Sequence, residues 1–172
     1  MNWHSREHDR ITICYNHKMN DINGHFRTIV AVLVLLARKN ANGNTEYLLQ
    51  KRQNTGFADG MWDFSVSGHV EKDEPMSKAV HREAKEEIGV DVVPDDIKFI
   101  GLLHSFGDGE PRVLGCFEVM NYSGEIGIGE PEKVAELEWF DENNLPENMI
   151  GSRRVVIEQF KNQGVFYWEY GW

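Results

Sequence analysis

Glu83, Glu86 and Glu87 stand at i, i+3 and i+4 within the stretch from Gly68 to Val90, GHVEKDEPMSKAVHREAKEEIGV. On a helix they crowd one side, where like charges cost roughly 0.2–0.5 kcal/mol per pair. A helix built only for stability would avoid that cost. Carboxylate oxygens gathered in this way suit a hard cation such as Mg²⁺, which carboxylates hold together with substrate phosphates. The plain alternative is a solvated acidic helix face.

The helix that positions them is expected to run from Pro75 to Ile88. Pro75 suits the first helical position, where a missing N–H costs nothing. Asp73 or Glu74 before it favours the positive end of the helix dipole. Gly89 suits the left-handed stop. Ala79, Val80, Ala84 and Ile88 form a separate apolar stripe that can pack on a sheet and leave the carboxylate side open. Lys72, Lys78 and Lys85 are expected to face solvent, and His81 reads as a surface or packing residue.

The rest of the chain supplies the sheet. FRTIVAVLVLLARK, from residue 26, is long and β-branched enough for a strand buried on both faces. Asn42-Gly43 marks a hairpin turn, TEYLLQKRQ the returning strand, and WDFSVSG a short strand leading to Gly68. Trp62 and Phe64 in that strand suit core packing, with base stacking as the alternative. IKFIGLLHSF and VLGCFEVMNY read as a hairpin, GIGEPEK as an acidic loop, and VAELEWF as a further strand. Asp141 stands at a plausible cap. A helix follows near residues 150–162, with Gly164 as its stop. The aromatic tail VFYWEYGW is expected to dock on the body.

A chain of 172 residues, 41% apolar, fits one domain. The net charge of −10 argues against broad nucleic-acid binding, but not against a nucleotide, because bound divalent metal inverts the local charge. Cys14 and Cys116 match no metal spacing and no disulfide framework, so a reducing, cytoplasmic setting is the simplest expectation. Ile29–Ala37 is too short to span a membrane, and the N-terminus lacks the apolar core of a signal peptide. Residues 1–25 read as a polar leader with scattered histidines, and residues 26–172 as the domain; Met19 is an alternative natural start.

The stretch from Gly68 to Val90 resembles the Nudix box, Gly-x5-Glu-x7-Arg-Glu-U-x-Glu-Glu-x-Gly-U, where U is apolar. Gly68, Glu74, Arg82, Glu83, Ala84, Glu86, Glu87, Gly89 and Val90 all fall in register. The flanking layout is similar to that family's domain over roughly residues 26–162. The resemblance implies an α/β fold with a mixed sheet sandwiched between helices (α/β/α). It implies hydrolysis of nucleoside diphosphates linked to another moiety, X. Glu86 and Glu87, then Glu83, would be the metal ligands for Mg²⁺ (or Mn²⁺), joined by the Ser67 carbonyl. Glu74 and Arg82 would pair structurally, and Arg52 would meet substrate phosphate unless it is a surface cation. A further carboxylate, acting as ligand or general base, would come from the acidic loop: Glu130 first, then Glu132 and Glu125. Phe106 stands where ADP-ribose hydrolases of the family tend to carry proline. His104-Ser105-Phe106-Gly107 lacks the tyrosine of diadenosine polyphosphate hydrolases, and no zinc-type Cys cluster or coenzyme A signature is present. Elimination leaves the MutT-like group, which acts on nucleoside triphosphates. A Nudix sensor that binds nucleotide without turnover is the alternative. The protein would be a monomer or homodimer. Removal of residues 1–18 is expected to leave activity intact; a truncated protein that fails to fold would contradict this.

Overall fold

The computed structural model describes residues 27–107 and 109–172; the leader expected over residues 1–25, with Cys14, lies outside them. The described elements run β1 (Ile29–Lys39), β2 (Thr45–Arg52), β3 (Trp62–Phe64), β4 (Val66–His69), α1 (Met76–Ile88), β5 (Ile97–Gly107), β6 (Glu110–Val119), β7 (Val134–Asp141), α2 (Gly151–Gln163) and β8 (Phe166–Tyr170).

β1 is the central strand. Over Ile29–Leu36 it pairs in parallel with β6, and over Ala31–Val34 it pairs antiparallel with β4. Only its last residues, Ala37–Lys39, pair with β2. The sheet therefore divides: β4-β1-β6-β5-β8 on one side, and β2 with β3 and β7 on the other.

Successive side chains of β1 point to opposite faces. Ala31, Leu33, Leu35 and Ala37 pack with Val156 and Ile157 of α2. Val32, Val34 and Leu36 pack with Ala79, Val80, Ala84 and Ile88 of α1. The expected apolar stripe of α1 is thus its buried face, and the layers are helix, mixed sheet, helix. The tail adds β8 in parallel to β5, with Gly101 leaving room for the Phe166 ring.

Three expectations need correction. WDFSVSG is two strands, not one: β3 pairs with β2 and β4 with β1, and the chain crosses between them at buried Ser65. Because β1 and β2 diverge, no single edge could pair all seven residues. Pro75 is the N-cap of α1, in extended backbone, and Met76 opens the helix; no side chain caps it. Glu74 turns instead toward Arg82. Asp141 ends β7 and accepts the Asn143 N–H at 2.9 Å, so it caps a turn and not α2. Gly89 (φ 81°) and Gly164 (φ 74°) stop the two helices as expected.

No described helix is long and apolar enough to cross a membrane. Cys116 is buried, and burial pushes its thiol up to about 12.

Leu36 is fully buried. Leu36→Ala is expected to lower unfolding free energy by about 2–5 kcal/mol, measured by denaturant titration. A loss within the scatter of surface substitutions would contradict the two-faced burial of β1.

Candidate active site

Arg82 organises the helix side of the site. Its Nε and Nη2 donate to the two Glu74 oxygens, each at 3.0 Å, a bidentate pair. Nη2 also donates to the His69 carbonyl at 3.0 Å, so the end of β4 is tied to α1. Nη1 donates to Glu83 at 2.7 Å and to Glu86 at 3.3 Å. The guanidinium holds the Glu74 carboxyl down at about 2. Burial raises Glu83, against the pull of Arg82.

Gly68 and Glu83 share one space: a Cβ at Gly68 would run into the Glu83 carboxylate. Glu87 lies deeper. Its Oε2 accepts the Ser67 N–H at 2.6 Å. Burial pushes its carboxyl well above the usual range, the Ser67 N–H opposes this, and Glu83, Asp63 and Glu130 add to the rise.

The acidic loop packs on the last turn of α1. Gly129 N–H donates to the Glu87 carbonyl at 2.8 Å, and Gly127 N–H to Ile88 at 3.1 Å. These satisfy carbonyls that a helix end leaves unpaired. A Cβ at Gly129 would meet the Glu86 carbonyl, so only glycine allows the approach that carries Glu130 into place. Glu130 accepts Lys133 Nζ at 2.6 Å. Glu125 and Glu132 are exposed.

A cavity of about 560 Å³ opens where the sheet divides. Ser67, Gly68, Glu87 and Glu130 line it, together with Arg52, Arg112, Lys133 and Arg153. Glu83 and Glu86 are not among its lining residues; both are held by Arg82. Trp62 and Phe64 do not line it. They are core residues, with Trp62 edge-on to Phe140 at 4.7 Å. Arg52 is no surface cation: it donates to Asp63 at 3.0 Å and to the Phe57 carbonyl at 2.9 Å. Asp63 is fully buried and also accepts Arg153 Nε at 2.6 Å. Two guanidiniums on one carboxylate leave a positive charge over for the cavity.

Asp63, Arg112, Lys133 and Arg153 were not among the residues expected from sequence. A lone Asp inside an apolar strand is a signal that it must be paired. Its partner Arg153 is 90 positions away in the chain, and no spacing rule reaches that far.

Among the described residues, no three His, Cys, Asp or Glu side chains converge closely enough to hold a metal ion as they stand. Arg82 accounts for this by drawing Glu83 and Glu86 to itself. The donor chemistry fits a hard divalent cation. Glu83, Glu86 and Glu87 offer only carboxylate oxygens, and two of them are held above their ordinary range by burial that a cation would offset.

The NUDIX domain model matches residues 27–160. The chain belongs to the NUDIX family. It is 33% identical over 121 residues to the ADP-ribose pyrophosphatase of Methanocaldococcus jannaschii, covering 69% of this chain and 68% of that one. It is 30% identical over 133 residues to the NAD-capped RNA hydrolase NudC of Deinococcus radiodurans, covering 76% and 44%. The chain spans less than half the length of the NudC relatives it matches. A MutT NUDIX hydrolase from Burkholderia pseudomallei has the same fold, with TM-score 0.66, 26% identity, and 78% of this chain and 98% of that one covered. The α/β/α arrangement is thus the Nudix fold, and the MutT-like resemblance holds.

Glu87 ionises freely near 4.5 when unfolded and only well above that when folded. Its charge therefore costs stability, and the cost grows as pH rises from the unfolded value through the folded one. In EDTA, Glu87→Gln is expected to melt higher than wild type at pH 7, with the gap closing below about pH 4.5. Gln can still accept the Ser67 N–H. A lower melting temperature at neutral pH would contradict the burial reading.

Proposed function

We propose that this chain is a divalent-cation-dependent hydrolase of the pyrophosphate linkage in nucleoside diphosphate-X compounds, nucleoside triphosphates among them. The observation that carries the reading is that Glu87 and Glu130 line the same cavity as Arg52, Arg153 and Lys133. A polyanion next to carboxylates needs positive charge on both sides, and the arginines supply one side. Mg²⁺ or Mn²⁺ on Glu83, Glu86, Glu87 and the Ser67 carbonyl would supply the other, neutralising phosphate and acidifying water.

The chain's own residues have defined tasks in this reading. Arg52 and Arg153, fixed by Asp63, orient the phosphates without rearranging. Glu130 takes the proton of the attacking water as its oxygen bonds to phosphorus. Lys133 fixes the Glu130 carboxylate. The phosphorus–oxygen bond to the leaving phosphate breaks, and the arginines stabilise the charge left on it. No covalent enzyme intermediate is needed. The ADP-ribose pyrophosphatase likeness supports nucleotide conjugates as substrates alongside the triphosphates expected of a MutT-like member.

The test is a panel of nucleoside triphosphates, damaged nucleotides, dinucleotides and nucleotide sugars with Mg²⁺, reading released phosphate and pyrophosphate. Turnover is expected to require metal and to fall by about 100-fold or more in Glu86→Gln. Unchanged turnover in the variant would remove Glu86 from the site. No turnover across the panel, with ligands still raising the melting temperature, would favour a nucleotide-binding module.

A further inference from the structure

One end of the cavity carries polar groups that the proposed chemistry does not use. Arg112, Ser105 and Tyr170 stand in register across three adjacent strands: Arg112 opposite Ser105 on β5, and Ser105 opposite Tyr170 on β8. All three line the cavity. Such a rung places its side chains on one face of the sheet.

None of the three side chains has a hydrogen-bond partner among the described residues. The Arg112 Nε is buried and has no partner among the described residues. Ser105 is only 8% exposed. A buried guanidinium nitrogen without a partner is costly, so its persistence beside an open cavity points to a ligand.

The rung faces a helix end. Ser152 and Arg153 of α2 line the same cavity, and no side chain caps the N-terminus of that helix. A Cβ on Gly151 would stand 2.6 Å from the Tyr170 hydroxyl, so the phenol lies over the first residue of α2. An uncapped helix start presents N–H groups and partial positive charge to an anion. The whole chain carries a net charge of −10, which makes this concentration of donors and cations a local choice.

We propose that Arg112, Ser105 and Tyr170, with the start of α2, form a second anion subsite that takes a phosphate carried by the X moiety of the substrate. The preferred substrate class is then a nucleoside diphosphate-X whose X group bears its own phosphate. The assignment to substrate rests on the hydrolase reading; the anion subsite does not.

Two measurements separate them. First, the protein in EDTA is titrated with inorganic phosphate by calorimetry. Wild type is expected to bind, Arg112→Gln to weaken binding by about tenfold or more, and Arg112→Lys to restore part of it. Ser105→Ala with Tyr170→Phe provides a second, milder test should Arg112→Gln fold poorly, and is expected to weaken binding as well. Failure of wild type to bind phosphate, or equal binding by the variants, overturns the subsite. Second, ADP-ribose is compared with ADP-ribose 1″-phosphate under Mg²⁺. The phosphorylated compound is expected to show a KM lower by about tenfold, with that advantage lost in Arg112→Gln and kcat changed by less than about threefold. Phosphate binding that depends on Arg112 without any turnover leaves the subsite standing and removes the hydrolase reading. Turnover with phosphate binding indifferent to Arg112 does the reverse.

Discussion

β1 hydrogen-bonds to three strands, and it cannot do so as a flat member of one sheet. Its first part is taken by β6 and β4, and only Ala37–Lys39 remain for β2. β2 must therefore peel away, and the angle between the two half-sheets becomes the cavity. The floor stays apolar because Ala31 and Leu33 of β1 line it. The rims are polar because the strands that diverge end there, carrying Arg52 from β2 and Arg112 from β6. The site is thus a consequence of one strand's pairing, and burial on both faces keeps that strand in place.

Electrostatics then divide the cavity. α1 contributes carboxylates in excess of what Arg82 can neutralise, and burial raises both Glu83 and Glu87. β2, β6 and α2 contribute guanidiniums in excess of what Asp63 can neutralise. Each half is frustrated alone. A cation on the first half and a polyanion across both would relieve the two excesses together. On the proposed function, that is why a chain that is acidic overall keeps three arginines in one cavity.

Much of this was legible in the sequence, and the reasons are local. The box spacing fixes one helix face through the 3.6-residue period, so the burial of Ala79, Val80, Ala84 and Ile88 and the openness of Glu86 both follow from it. The double-sided burial of β1 followed from an unbroken apolar run. What sequence spacing could not convey is non-local. The crossing at Ser65 depends on where β1 changes partners. Arg153 meets Asp63 only because the residues leading into α2 pair with Trp62 of β3. Trp62 and Phe64 are chemically able to stack a base, and only packing against Phe140 and the α2-side core places them inside.

Main chain matters to the site as much as carboxylate does. The Glu83 side chain occupies the space that a Cβ on Gly68 would need, and the acidic loop can reach α1 only because Gly129 has no Cβ. The loop in turn supplies the N–H groups that finish the helix, at Gly127 and Gly129. Finishing α1 and delivering Glu130 are therefore the same contact. A fold that terminated α1 with solvent could keep every glutamate of the box and still leave its fourth carboxylate away from the others.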